Sequence, residues 1–406
     1  MAASNYQAEV NKSKKNKILI LGAGSWQVPW LAKARELGFI VYATDWSETA
    51  EGRNIPHYFS PINLRDKEAT LNYARQHKID AIFTSADIGV QTAAYVAAHM
   101  GLPYHSEALA YCATNKFAMR EKARNLGLGG PHYQLVDHVN DARIAADELG
   151  FPLIIKPVDN FSSKGVRIVN NQSELEQIFQ HSLEFSFEKK VLLEEFMIGT
   201  EGSVEALIKD GIAHIMGISE KQKSPMPYRY DILLEYPGNY CSNQLKMIEV
   251  FIQTLVTGFE IQSGIIHVEI MITQDDVRLI EFAIRGCGSK IVTHLMPALT
   301  QYDVMAYVLW NAFGIRHPIQ FSKNYCGLLQ FIMLPKGRIK RIDGEESIKT
   351  MPGVLDFLIE RKVGDVIGDI EDGRSRPGYL LAYSTKTEEL QQIVQHALAT
   401  MTVEYE

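Results

Sequence analysis

Lys156 sits in the run LIIKP, which places an ammonium group inside a β-type stretch just ahead of a proline. Such a group is costly to bury unless an anion or a carboxylate meets it. Lys116 lies on the face of an earlier helical segment and offers a second positive group. The loop DNFSSKGV, which follows Lys156, supplies Ser162, Ser163, Lys164 and the backbone of Gly165. Backbone N–H groups, hydroxyls and one ammonium in a loop of this kind can close over phosphate. Taken alone, it reads equally well as a solvated hairpin connection. The GxxxxGK[ST] spacing of a P-loop is missing, which excludes that class.

Two acidic residues follow on neighbouring β-type runs. Glu269 lies in HVEIMI and Glu281 in RLIEFAI, and the polar turn TQDD joins the two runs. Adjacent strands can hold two carboxylates a few ångströms apart, the arrangement that lets Mg²⁺ bridge phosphates. Arg285 comes four residues after Glu281, close enough to stabilise a transferring phosphoryl group. Each glutamate by itself is also consistent with a plain strand-face position. His267, on the same run as Glu269, reads as a packed or supporting histidine, and Cys287 as a small filler.

The Gly-rich element GAGSWQ is the third feature. Gly22 and Gly24 match the first two glycines of a dinucleotide fingerprint, and Asp45 lies at the usual distance for a ribose contact. Gln27 stands where the third glycine belongs, so the close helix–strand approach is in doubt. A structural turn or a small-substrate contact is the preferred reading over NAD or FAD.

The elements that must carry these groups can be read from the alternation of patterns. KILIL, FIVYATD and DAIFTSAD are strand-like. They alternate with helical patterns near Val28–Leu37, Asp66–His77 and Val90–Met100. This alternation predicts an open parallel α/β domain with its crevice near Gly22–Gln27, Asp45 and Ser85–Asp87. A helix over Asn115–Leu126 carries Lys116. FPLIIKPVD, GVRIVN and KVLLEEF are strand-like, with a helix near Ser173–Gln180. GSVEALIKDGIAHIMGISEK reads as a hairpin turning at Asp210–Gly211. A long helix is expected over Asn243–Phe259, a helical LDFLIER after the strand-like GLLQFIMLPKGRIKRI, a loop over 364–378, and a final helix over Thr387–Leu398. The class is therefore α/β, or α+β over the whole chain. The expected divisions are a disordered tail 1–16, an N-terminal Rossmann-like domain 17–112, a central domain 113–205, a C-terminal domain 206–320 and an extension 321–406.

Composition narrows the partners. With 46% apolar and 22% charged residues the chain is an ordinary folded protein. A net charge of −7 argues against a nucleic-acid binder. The widely spaced Cys112, Cys241, Cys287 and Cys326 form no CxxC pair, which fits a reducing, cytoplasmic setting and argues against a zinc or disulfide framework. No apolar stretch approaches the roughly 18 residues of a membrane span.

As an ordered set, Lys116, Lys156, the Ser/Lys/Gly loop, LLEEF, GTEGSVE, HVE and EFAIR resemble the ATP-grasp superfamily over roughly residues 17–380. That family includes D-alanine–D-alanine ligase, biotin carboxylase, carbamoyl-phosphate synthetase, purine-pathway carboxylases and L-amino-acid ligases. The resemblance implies a Rossmann-like parallel-sheet domain, a small central lid domain and a C-terminal antiparallel-sheet domain. It implies that Lys116 and Lys156 hold ATP phosphates beneath a lid of Ser162, Ser163, Lys164 and Gly165. Glu194, Glu195, Phe196 and Met197 would form the hinge that reads the adenine edge, and Glu201 would hold the ribose. Glu269 and Glu281 would bind Mg²⁺ or Mn²⁺, and Arg285 would contact the phosphate and the reacting centre. One departure stands out: where the family commonly has ExNxR, this chain has Ala283, which cannot ligate a metal.

The implied activity is that of an ADP-forming carboxylate–amine ligase acting on small molecules, with a homodimer left open. An ATP-grasp carboxylase or purine-pathway ligase, and a catalytically weak nucleotide-binding regulator, are the alternatives. Substrate candidates are Glu220, Lys221, Arg229 and Tyr230 in the polar, aromatic stretch SEKQKSPMPYRYD, and Gly286, Gly288 and Ser289 in GCGSK.

Overall fold

The computed structural model describes residues 16–161, 163–225, 228–322, 324–370, 373 and 375–406. The expected tail, up to residue 15, and Ser162 lie outside the described residues. The first sheet is parallel. It contains β1 (Lys17–Leu21), β2 (Ile40–Thr44), β3 (Tyr58–Ser60) and β4 (Ala81–Thr84) in the order β3-β2-β1-β4. Helix α1 (Val28–Glu36) joins β1 to β2, α2 (Lys67–His77) joins β3 to β4, and α3 (Asp87–Met100) follows β4. Ile18 to Leu21 are fully buried. Ile18 and Ile20 pack into one apolar cluster and Leu19 and Leu21 into another, as expected for a strand covered on both faces. The Asp66 side chain accepts from Ala69 N at 2.9 Å and starts α2, while Gly101, with φ 65°, ends α3.

α4 (Glu107–Thr114) and α5 (Lys116–Asn125) lead into a small second layer. The Asn115 side chain caps α5 through Ala118 N at 3.0 Å, which sets Lys116 at the first helical position. β5 (Tyr133–Val136), α6 (Val139–Leu149), β6 (Leu153–Pro157), β7 (Arg167–Val169), α7 (Gln172–Glu184) and β8 (Val191–Glu195) follow. Their antiparallel sheet has the order β5-β8-β6-β7 and packs on a core that includes Ala142, Ala146, Ile155, Phe179 and Leu193.

The third part is an eight-stranded sheet. β9 (Thr200–Lys209) and β10 (Ile212–Lys223) form the expected hairpin. Asp210 and Gly211 both have positive φ, 52° and 75°, as a tight hairpin turn requires. β11 (Asp231–Tyr236), α8 (Ser242–Gly258), β12 (Ser263–Ile272) and β13 (Val277–Ala283) come next. Then follow α9 (Met296–Thr300), α10 (Val304–Asn311), β14 (Cys326–Ile332), β15 (Gly337–Asp343), α11 (Glu345–Lys349), β16 (Val354–Ile359), β17 (Val366–Ile367), β18 (Gly378–Ser384), α12 (Thr387–Thr400) and β19 (Thr402–Tyr405). The large sheet runs β13-β12-β9-β10-β11-β14-β18-β16.

Three expectations need correction. A boundary at 205 would cut β9; the chain changes sheet between Glu195 and Thr200. The segment after 320 is not simply an extension, because β14, β18 and β16 continue the large sheet, while β15, β17 and β19 form a separate small sheet. LDFLIER is not helical: its residues up to Ile359 lie in β16, paired antiparallel with β18. Its buried Phe357 and Ile359 are two residues apart, and a short apolar run of this kind fits either period until a neighbouring strand is known.

Candidate active site

The small sheet faces the large one across a cavity. Its apolar walls are Ile154, Val166 and Ile168 on one side and Met271 and Ile280 on the other. Lys116, Lys156, Ser163, Glu194, Glu195, Phe196, Met197, Glu201, Arg229, Tyr230, Glu269 and Glu281 also line it, so residues distant in sequence converge on one site.

The deepest polar feature is a carboxylate held between two cations. Glu194, 1% exposed, accepts from Arg120 Nε at 2.7 Å and from Lys156 Nζ at 2.6 Å. Burial opposes its ionisation, but Arg120 and Lys156 outweigh that cost and hold its carboxyl at about 2. Arg120 also donates through Nη2 to the Ile280 carbonyl at 2.5 Å, tying α5 to β13. Arg120 was missed in the sequence, although it lies four residues after Lys116 and so on the same helix face. The Lys116 Nζ donates to the Asn160 carbonyl at 2.9 Å and pairs with Glu281 at 3.2 Å.

All four residues expected to form a hinge line the cavity, but they differ in what their backbone meets. Glu194 and Glu195 are paired within the sheet, Glu194 opposite both Tyr133 and Ile154 and Glu195 opposite Leu153. The Glu195 N–H also donates to the His132 carbonyl at 3.0 Å. Phe196 and Met197 follow the end of β8, so their backbone is the part left to meet the edge of a planar ring.

Glu269 and Glu281 are direct cross-strand partners on β12 and β13. Two facing carboxylates present the hard oxygen donors that suit Mg²⁺ or Mn²⁺. Lys221, expected to face substrate, is instead buried behind them. Its Nζ lies 2.5 Å from Glu269 and 3.4 Å from Glu201. Burial alone would neutralise Lys221, but Asp231, Glu269 and Glu201 raise its pKa well above the ordinary value. Burial likewise works against the Glu269 charge, and Lys221 and His267 hold its carboxyl well below the usual range. Lys223 pairs with Glu201 at 2.6 Å and Asp231 at 2.8 Å, which makes these lysines counter-ions to the acidic group. Lys223 and Asp231 were not singled out in the sequence. Ala283 lies opposite His267 and brings no donor atom.

Arg285 is not part of this cavity's lining. Its Nε and Nη2 grip Asp87 of α3 at 2.7 and 2.5 Å, and its Nη1 donates to the Gly286 carbonyl at 2.8 Å. β13 ends at Ala283, so the strand alternation that turns Glu281 to the cavity no longer governs Arg285. The loop after it is anchored at its other end by Lys290, which pairs with Asp356 at 2.5 Å. Ser289 and Lys290 both have positive φ, 52° and 59°.

Other candidates also lie off the cavity wall. Gly286 packs against Val292, Gly288 is exposed, and the Glu220 carboxylate accepts from Asn239 N at 3.1 Å. Lys164 does not line the cavity. Gly165 anchors the loop from behind: its carbonyl accepts from Ser182 Oγ at 2.7 Å, and its φ is +73°.

The GAGSWQ turn is closed. Gln27 reaches back over Gly22, where a Cβ would meet its Cγ at 3.1 Å, and its amide donates to Ser85 Oγ at 3.3 Å. Asp45 is spent on the same turn, accepting from Ala23 N at 2.8 Å and Ser47 N at 3.0 Å.

Residues 149–294 match the family profile described as an ATP-grasp domain, and residues 330–406 match that of the L-amino acid ligase C-terminal domain 2. A formate-dependent phosphoribosylglycinamide formyltransferase from Methanocaldococcus jannaschii is 23% identical over 305 residues, spanning 71% of this chain and 74% of that one. The crystal structure of an L-amino acid ligase from Bacillus licheniformis superposes with a TM-score of 0.80 at 22% identity, covering 97% of this chain and 100% of that one. A phosphoribosylglycinamide synthetase from Anaerococcus prevotii gives a TM-score of 0.75 at 16% identity, covering 97% and 100%.

Proposed function

This chain has the fold of the ATP-grasp superfamily, and from that premise we propose that it is an ATP-dependent ligase that activates a carboxylate and joins it to an amine, releasing ADP and phosphate. The observation that carries the reading is the facing pair Glu269–Glu281, which lines one cavity together with Lys116 and Lys156. A carboxylate is a poor electrophile. Phosphorylation makes its carbonyl open to attack by an amine, and the protein's task is alignment, charge neutralisation and exclusion of water.

Each part of the site has a role in that scheme. Lys116, Lys156 and Ser163 would hold phosphate oxygens, helped by Lys164 and by Ser162, which lies outside the described residues. Gly165 would let the loop close. Ile154, Ile168, Met271 and Ile280 would sandwich the adenine, with Phe196 and Met197 at its edge. Glu201 would orient the ribose, held in place by Lys223. Mg²⁺ or Mn²⁺ held by Glu269 and Glu281 would supply neutralisation of the phosphate charge. Lys116, which now pairs with Glu281, would then be freed to meet phosphate, while Lys221 would stay behind Glu269 as its counter-ion. Arg285, held by Asp87 of the N-terminal domain, would bind the carboxylate to be activated, with Gly286, Gly288 and Ser289 beside it in sequence. Glu220, Arg229 and Tyr230 would serve the amine partner.

The match of residues 330–406 to an L-amino acid ligase domain supports an amino-acid-like substrate pair. A purine-pathway formyl- or carboxyl-transferring ligase is the second reading, favoured by the formyltransferase relatives. Small-molecule carboxylates and amines are the proposed substrates; among the described residues no helix is long and apolar enough to cross a membrane. The test is phosphate release with ATP and Mg²⁺ against pooled amino acids, then against formate or bicarbonate with purine ribotides. Release with amino-acid pairs is the expected result. Release only with ribotides would replace the first reading with the second.

A further inference from the structure

Behind the Glu269–Glu281 pair lies a second cluster that the ligase reading does not use. Glu205 on β9 and His267 on β12 are cross-strand partners, and Cys287 comes from the loop after β13. One oxygen, one nitrogen and the sulfur of these three residues lie within 4.8 Å of one another. Glu205 is wholly buried and His267 is 8% exposed. The Glu205 carboxylate meets His267 Nδ1 at 2.5 Å and accepts from Cys287 N at 3.3 Å.

We propose that Glu205, His267 and Cys287 form a second cation site, selective for one thiophilic divalent ion of the zinc class. The donor set separates it from the neighbouring pair. Glu269 and Glu281 offer only oxygen, which suits Mg²⁺, whereas carboxylate, imidazole and thiolate together suit Zn²⁺. Around a tetrahedral ion with bonds of about 2.0–2.3 Å, ligand atoms stand about 3.3–3.8 Å apart. The Glu205–His267 contact, 2.5 Å now, therefore has to open by about 0.8 Å, and Cys287, on a loop, is the member free to move inward. Binding releases the thiol proton and the proton shared between His267 and Glu205. The buried carboxylate then faces a metal instead of an imidazole.

The site would also act on catalysis, and this part rests on the ligase reading. Cys287 is two residues from Arg285, so drawing it inward moves the loop that carries the Arg285–Asp87 clamp. His267 Nε2 lies 3.5 Å from Glu269, so turning the ring disturbs the Mg²⁺ pair as well. Zn²⁺ is thus expected to inhibit at concentrations where Mg²⁺ alone supports turnover.

Co²⁺ serves as the optical probe for the full chain after treatment with a chelator, in excess Mg²⁺. The expected result is one Co²⁺ per chain, with a near-ultraviolet thiolate band and the visible bands of a tetrahedral ion, displaced by Zn²⁺ but not by Mg²⁺. Cys287→Ser should abolish the band and weaken Zn²⁺ binding at least about 100-fold. Cys241→Ser, at an exposed cysteine, should change neither. Persistence of the band in Cys287→Ser, or its loss on adding Mg²⁺, overturns the proposal. If Cys287→Ser does not fold, His267→Asn gives the same reading. These binding measurements need no turnover, so they stand or fall independently of the ligase reading. Zn²⁺ inhibition that survives in Cys287→Ser would overturn the regulatory part alone.

Discussion

Replacing Glu194 with glutamine keeps the shape of the side chain and removes the charge that Arg120 and Lys156 share. The structure gives the size of the effect in two ways. The carboxyl is held at about 2 against an ordinary 4.5, and at about 1.4 kcal/mol per tenfold that gap corresponds to about 3 kcal/mol. Breaking a buried ion pair by removing one partner costs about 3–5 kcal/mol, because the remaining charges stay buried. Arg120 and Lys156, at 3% and 6% exposure, have little access to water. The sign with pH follows from the depressed value. This carboxyl contributes its full stabilisation above pH 4.5 and loses it as the pH falls through about 2. The gap between parent and Glu194→Gln is therefore widest near neutrality and closes in acid. Trp26, Trp30, Trp46 and Trp310 all lie outside the lid sheet, so intrinsic fluorescence does not report on it. Amide hydrogen exchange of peptides covering Leu153–Pro157 and Val191–Glu195 does. A loss of about 3 kcal/mol corresponds to exchange about 10²-fold faster near pH 7. Exchange within about threefold of the parent would refute the reasoning, as would a difference that stays the same in the acid range.

Three other outcomes are expected. Glu281→Gln and Arg285→Ala should each lower turnover by about 10²–10³ while changing ATP affinity little, read as ADP formation at saturating ATP and Mg²⁺; near-parental rates in both would remove the proposed mechanism. ATP should raise the melting temperature through mass action and NADH should not, because Gln27 and Asp45 close the GAGSWQ turn. Gly165→Ala should destabilise the lid by about 1–3 kcal/mol, since a Cβ there meets Pro157 Cγ at 2.8 Å and Phe185 Cβ at 2.9 Å at a φ of +73°. Gly288→Ala, which meets nothing within 4 Å, should leave stability unchanged in the same exchange measurement.

Local patterning already determined much of the architecture. The alternation of apolar runs and helical periods gave the parallel N-terminal sheet. Asp210–Gly211 marked a hairpin, because few residue pairs accept two positive φ angles. The glutamates on HVE and LIE were legible as strand neighbours, since a short polar turn between two runs forces antiparallel pairing with a narrow choice of register. Residues 355–361 were misread because a short apolar run does not reveal whether its partner is a strand. β18, which decides the matter, follows about twenty residues later.

What the linear pattern could not contain was the pairing of charges across the fold. Glu194 stood out as a hinge residue, but its bond to Arg120 spans 74 positions. Lys221 read as a surface contact for substrate, yet it is buried against Glu269, 48 positions away. Arg285 turns from the cavity toward Asp87, 198 positions earlier. Sequence specifies which groups can ionise and which face of an element they occupy. Which of them become mutual counter-ions depends on distances of a few ångströms between elements far apart in the chain, and only the packed structure sets those distances.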